Sequence, residues 1–208
     1  MILETQALFV TPLAKAHLGE GALLDELRAA IWMLQEGDEA GAKWCAEQGY
    51  EGYTSYASLD DLPQRASCFQ ELLDIVTPLA EGFATDHLAW EMGAHHLCLE
   101  GFWVNILPEG GQHTGHIHPG SVISGTVYID MPEGSGAIKF EDPRLAMMQA
   151  APPVKMDAPE AQCRFVYRTP KAGTILLWES WLRHEVMAHR SEHPRLSISF
   201  NFGLGQNR

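Results

Sequence analysis

The stretches SVISGTVYID (121–130) and RLSISFNF (195–202) alternate polar and apolar side chains residue by residue. An extended chain sends successive side chains to opposite faces, so this alternation marks strands with one face in a core. In the second stretch Leu196, Ile198, Phe200 and Phe202 share one face, and Arg195, Ser197, Ser199 and Asn201 share the other. In Val122–Asp130, Ile123, Val127 and Ile129 lie opposite Ser124, Thr126, Tyr128 and Asp130. A sheet with one solvated face would account for the polar sides. The alternative is that they line the mouth of a barrel, where small ligands bind.

Working outward, short runs rich in Val, Ile, Phe and Trp predict further strands at Leu97–Ile106, Ala137–Phe140, Arg164–Arg168, Thr174–Trp178 and His184–Met187. The first part of the chain reads differently. Leu23, Leu27, Ala30, Ile31 and Leu34 recur at helical spacing up to Gly37. A loop follows over Gly49–Pro63. A second helix begins near Ser67, where Ser67-Cys68-Phe69-Gln70 has the form of a capping box. Its apolar stripe is Phe69, Leu72, Leu73, Val76, Leu79 and Phe83. Helices first and strands after predict an α+β architecture in a single domain over 1–208, with 1–96 as a mainly helical support and 97–208 as the strand-built core. The irregular stretch Glu141–Gln162 is long enough for a lid over a substrate, or for a mobile surface insertion.

Composition narrows the function. The 208 residues include 46% hydrophobic and 20% charged side chains, ordinary for a globular chain able to bury a core without disulfides. The net charge of −13, from 14 Lys and Arg against 27 Asp and Glu, repels phosphate backbones and anionic lipid. Nucleic-acid and membrane partners are therefore not expected. Met1–Ala14 lacks the basic and apolar regions of a signal peptide, and no run reaches the ~18 apolar residues of a span. The expected location is cytoplasmic, with Cys45, Cys68, Cys98 and Cys163 as buried free thiols.

The histidines carry the chemistry. His116-Ile117-His118 puts two imidazoles on one side of an extended segment, and His184 is the leading third ligand. Three ligands that leave positions open make a catalytic rather than a structural metal site. Surface histidines also pair by chance, so the HxH alone is weak. Arg195 follows on the next strand, with Ser197 on the same face. An Arg beside a hydroxyl suits a carboxylate, offering a bidentate fork and one more donor.

The stretches HIHPGSVISGTVYIDMPEGSGAIKFEDPR (116–144) and PKAGTILLWESWLRHEVMAHRSEHPRLSISFNF (170–202) resemble the Fe(II)/2-oxoglutarate-dependent dioxygenases. The resemblance is strongest to the prolyl-hydroxylase-like branch and, within it, to a bacterial group of unassigned substrate. It covers slightly under half of the chain. It implies a double-stranded β-helix (jelly roll) with supporting N-terminal helices. It further implies Fe(II) as cofactor, with 2-oxoglutarate and O2 as cosubstrates of an oxygenase acting on an unknown substrate. Carried over, His116 and His184 match the iron-binding histidines. Arg195, Ser197 and Tyr128 match the residues that hold the distal carboxylate of 2-oxoglutarate. Asn105 falls near where another cosubstrate contact often sits. His118 stands where the family has a carboxylate ligand, so the usual triad of two histidines and one carboxylate becomes His116, His118 and His184. Glu141 or Asp142 could supply a carboxylate instead. His113 reads as a surface or supporting group. Trp103, Trp178 and Trp181 read as core, or as walls of the pocket.

Two other readings remain open. A cupin-like three-histidine dioxygenase would use the same imidazoles without 2-oxoglutarate. A non-catalytic sensor of metal or 2-oxoglutarate would keep the site without turnover. The helical third could also support a homodimer.

Overall fold

The computed structural model describes residues 2–206. The chain opens with β1 (Ala14–His17), α1 (Ala22–Gly37), α2 (Glu39–Gln48), β2 (Tyr53–Thr54), α3 (Leu62–Arg65) and α4 (Ser67–Gly82), which ends in a π-helical turn at Phe83–His87. Strands then follow as β3 (His95–Leu107), β4 (His113–His116), β5 (Ile123–Asp130), β6 (Ile138–Glu141), β7 (Phe165–Arg168), β8 (Thr174–Glu179), β9 (His184–Val186) and β10 (Arg195–Gln206). They form two antiparallel sheets, one of six strands in the order β1-β8-β5-β10-β3-β2 and one of four in the order β4-β9-β6-β7. The architecture is α+β, as the sequence predicts. The N-terminal part also contributes β1 and β2, which pair with β8 and β3 at the two edges of the larger sheet.

The apolar faces of β5 and β10 do what their alternation requires. Ile123, Val127, Ile129, Leu196, Ile198, Phe200 and Phe202 enter one core with Leu27 and Ile31 of α1 and Phe69, Leu72 and Val76 of α4. Phe69 meets Phe102 of β3 edge to face, ring centroids 6.2 Å apart. Burying a side chain of that size contributes about 2–3 kcal/mol. Gly125 interrupts the apolar face of β5 because Phe200 fills the space: a Cβ there would lie 2.3 Å from the Phe200 ring. The helices thus cover one side of the larger sheet and leave its polar side to the space between the sheets.

The capping box at Ser67 does not form. Ala66 is the N-cap of α4, with no side-chain cap, and Ser67 is already helical. The cap that matters precedes α2. The buried Asp38 carboxylate accepts hydrogen bonds from the Gly41 amide (2.9 Å), the Tyr53 hydroxyl (2.8 Å) and the Ser58 hydroxyl (2.5 Å). It ties the start of α2 to β2 and the loop beyond. Burial works against its charge, but the donated bonds from Ser58, Gly41 and Tyr53 outweigh it, and the carboxyl is held below its usual range. A lowered carboxyl pKa adds stability above the unfolded-state value, and that stability is lost as pH falls through the folded value. Asp38→Ala is expected to cost about 1–3 kcal/mol, because it also strands buried donors. Urea unfolding at pH 7 and below pH 4 checks this: the difference from wild type should shrink in acid.

All four cysteines are free. Cys45 and Cys68 are buried as expected, whereas Cys98 and Cys163 are partly exposed, Cys98 on β3 and Cys163 at the end of the irregular stretch. No helix among the described residues is long and apolar enough to cross a membrane.

Candidate metal and cosubstrate site

The polar faces of β5 and β10 look into the space between the sheets, so they line a site and not a solvated surface. Register places Ser197 opposite Tyr128 on one side and Asn105 on the other. The smaller sheet supplies the histidines. His116 ends β4 and pairs with His184, which opens β9. His118 lies two residues beyond, in the loop leading to β5. The ligand atoms of His116, His118 and His184 all lie within 4.8 Å of one another. Their ring centroids are 4.5 Å (His116–His184), 5.1 Å (His116–His118) and 5.2 Å (His118–His184) apart.

Two of these rings are aimed by the backbone. His116 Nδ1 donates to the Thr114 carbonyl at 2.6 Å, and His184 Nδ1 donates to the Leu182 carbonyl at 2.9 Å. Each bond leaves Nε2 with its lone pair. Trp178 packs edge-on against His184, centroids 4.8 Å apart. Burial pushes His184 down to about 3, with only partial opposition from its bond to Leu182. Burial and the neighbouring His116 push His118 down to about 4. Both rings are therefore neutral at pH 7, the form that ligates a metal.

A cavity of about 70 Å³ joins this triad to Arg195, Ser197, Tyr128 and Thr126. Arg195 is only 2% exposed, and its Nε and Nη1 have no hydrogen-bond partner. Its guanidinium carbon stands 5.2 Å from the centre of the Tyr128 ring. The Tyr128 hydroxyl is buried and unpartnered as well. Burial pushes that phenol up to about 12 against the pull of Arg195, so it stays protonated and able to donate. Burial likewise lowers Arg195. A fully buried cation with free donors costs several kcal/mol unless an anion meets it. Arg195, Tyr128 and Ser197 together place buried donors around one cavity, an arrangement that a carboxylate would satisfy.

The other expected residues take different places. Asn105 is buried, donates to Ser199 Oγ at 3.3 Å, and lines a larger cleft outside the Arg195 cavity. Neither acidic candidate joins the triad: Glu141 lies 3.5 Å from Arg183, and Asp142 is bonded to Arg144. Trp103 walls both the cavity and the cleft, Trp178 walls the cavity, and Trp181 is half exposed and lines neither. Glu141–Gln162 contributes no residue to the lining of either.

The larger cleft, of about 810 Å³, opens above His116 and His118 between Trp44, Tyr50, Tyr56 and Trp103. The Tyr50 hydroxyl bonds His113 Nε2 at 2.6 Å, tying the end of α2 to β4. Burial, then the charge of Arg195, lowers His113 to about 3, so this ring too is neutral. Tyr50 sits in a segment that reads as loop, far from His113 in sequence, and nothing local marks the pair.

The comparisons with known proteins agree with this geometry. Residues 101–201 match the family described as "Putative 2OG-Fe(II) oxygenase". That stretch carries Asn105, His116, His118, Tyr128, His184, Arg195 and Ser197. None of the curated proteins matches it. Among solved structures, a prolyl-4-hydroxylase of Pseudomonas putida superposes with a TM-score of 0.60 at 16% identity, over 95% of this chain and 94% of that one. The non-heme alpha-ketoglutarate-dependent epimerase SnoN of nogalamycin biosynthesis superposes with a TM-score of 0.62 at 17% identity, over 95% of this chain and 79% of that one. SnoN has also been solved with Fe3+ and alpha-ketoglutarate. The chain spans about half (52%) of a 2OG-Fe(II) oxygenase family protein from Burkholderia pseudomallei, which shares 16% identity over 61% of this chain at a TM-score of 0.43. At these identities the structural matches establish the fold.

Proposed function

We propose that the protein is a non-haem, Fe(II)- and 2-oxoglutarate-dependent oxygenase that hydroxylates a substrate held in the cleft above His116 and His118. The observation that carries this reading is Arg195. Its buried guanidinium, with Nε and Nη1 unpartnered, shares a small cavity with three imidazoles. A dicarboxylate whose one end reaches a metal and whose other end meets Arg195 satisfies both. A three-histidine dioxygenase that does not use 2-oxoglutarate would leave Arg195 and Tyr128 without partners.

The donor set fits a divalent transition metal: three imidazole ligands leave positions for further donors. His116, His118 and His184 would hold Fe(II), and Arg195, Ser197 and Tyr128 would receive the distal carboxylate. With three neutral ligands the metal keeps one more positive charge than a site with a carboxylate. When bound, iron and 2-oxoglutarate supply the oxidative chemistry: O2 is consumed, 2-oxoglutarate becomes succinate and CO2, and one oxygen atom goes to the substrate. The protein's own residues do the rest. Arg195 and Tyr128 fix the cosubstrate from its far end, Trp178 and Phe140 back His184, and Trp103 separates cavity from cleft. Asn105 would act from the cleft side.

The strand order supports a double-stranded β-helix. From β3 onward the chain alternates between the sheets except at the β6–β7 hairpin, giving β8-β5-β10-β3 facing β4-β9-β6-β7. We read 1–208 as a single domain, with the helices of 1–96 bracing the strands of 97–208. Free thiols and the acidic surface suit the cytoplasm. The test is turnover without a substrate: aerobic protein with Fe(II) should convert 2-oxoglutarate slowly to succinate. Conversion that is equal with and without iron would refute the reading.

A further inference from the structure

The cleft above the triad combines aromatic walls with acidic side chains. Trp103 and Tyr56 meet edge to face, centroids 5.2 Å apart, and the Trp103 ring stands 5.9 Å from that of His118. Trp44 and Tyr50, centroids 6.5 Å apart, line the cleft as well. Glu51 and Glu100 belong to its lining, and among the described residues no Lys or Arg does. Neither glutamate enters an ion pair among the described residues.

Glu100 is put in place by three features. On β3, Gly101 pairs with Asn201 and Leu99 pairs with the next residue of β10, Phe202. Glu100 is therefore the extra residue of a β-bulge. Strict alternation would send it to the face opposite Gly101 and Trp103; the bulge brings it onto the cleft lining with them. Gly203 leaves room for its carboxylate, since a Cβ at that position would overlap Glu100 Oε1. The Ser121 hydroxyl donates to Glu100 Oε2 at 2.7 Å and fixes the head group.

We propose that the substrate is an organic cation, an amine or guanidinium on an apolar body, and that Glu100 is the residue that selects it. The inference deepens the oxygenase reading and rests on it. A placed carboxylate without a counter-charge leaves its charge for a ligand. Aromatic faces attract a cation through the ring quadrupole and cover the apolar body at the same time. An anionic substrate would meet two carboxylates and no compensating Lys or Arg. The net charge of −13 draws cations toward the protein from a distance.

Binding is measured in protein without metal or 2-oxoglutarate. The probe is benzylamine, protonated at neutral pH, with benzyl alcohol and benzoate as its neutral and anionic counterparts. The readout is the Trp103 indole N–H resonance in a proton–nitrogen correlation spectrum, assigned with Trp103→Phe. Benzylamine should shift it saturably, with affinity about fivefold or more above that of benzyl alcohol, and benzoate should leave it unmoved. Glu100→Gln should weaken benzylamine by about two- to fivefold and leave benzyl alcohol unchanged. Gly203→Ala keeps the charge but displaces the carboxylate, so it should weaken benzylamine to the same extent; this separates a placed anion from general negative charge. Equal affinity for benzylamine and benzyl alcohol would overturn the inference. So would benzylamine binding unchanged in both variants, or no saturable shift at all. Iron-dependent succinate formation is measured separately. Its absence beside Glu100-dependent benzylamine binding would overturn the substrate role and leave a cation site; its presence with a failed benzylamine test would overturn the cationic substrate and leave the oxygenase.

Discussion

Arg195→Ala is expected to lose 2-oxoglutarate affinity by roughly 30- to 4,000-fold while still binding metal. The arithmetic is that of truncating one side of a buried charge pair, about 2–5 kcal/mol, with each 1.4 kcal/mol worth a factor of ten. Among the described residues Arg195 makes no hydrogen bond to any of the three histidines, so metal affinity should change little. The same variant makes a second, opposite prediction about stability. In the ligand-free protein Arg195 is buried with Nε and Nη1 unpaired, which opposes folding. Arg195→Ala without ligand should therefore be at least as stable as wild type, and only wild type should gain thermal stability from 2-oxoglutarate. Calorimetric titration and thermal unfolding with and without the acid check both halves. Destabilised Arg195→Ala that keeps wild-type affinity would make Arg195 a structural residue.

His184→Ala is expected to reduce divalent-metal affinity by more than about 100-fold. Loss of a group that merely supports a ligand costs 10- to 100-fold, and His184 is placed to ligate directly. It is also the most buried of the three imidazoles. Turnover of 2-oxoglutarate should fall with it, whereas folding should survive, since the larger core lies on the far side of β10 and β5. Metal binding followed by competition with a chelator measures the change; affinity within about threefold of wild type would remove His184 from the ligand set.

The strand half of the chain was largely legible because its two-residue period is strict and its apolar residues are branched or aromatic. Leu196, Ile198, Phe200 and Phe202 could only be one buried face, and the polar side of that strand then had to hold Arg195, Ser197 and Asn201. What the pattern could not decide was whether that polar side met water or a cavity, since alternation reports faces and not what lies opposite them. Several elements escaped, among them β2 and α3, which lie in or at the end of the stretch that reads as loop. β1 has four residues and takes its place only by pairing with the edge of β8. β4 contains Gly115 and an irregular register with β9. Helix α2, with sequence EAGAKWCAEQ, buries only Gly41 and Cys45, too little for a stripe. Ser67 misled for the opposite reason: the residues of a capping box were present, but Ala66 takes the cap. In the site, the HxH and the spacing to Arg195 were visible. The Tyr50–His113 and Asn201–His118 contacts were not, because both join residues that only the fold brings together.

The most direct test of the central claim is an anaerobic titration of Fe(II)-loaded protein with 2-oxoglutarate, observed in the visible spectrum. Chelation of iron by the keto acid gives a charge-transfer absorption that neither component shows alone. The expected result is a saturable band in wild type, with one equivalent bound per chain, that Arg195→Ala develops only at far higher concentrations. Iron bound at the three histidines with no such band at any concentration of 2-oxoglutarate would contradict the account.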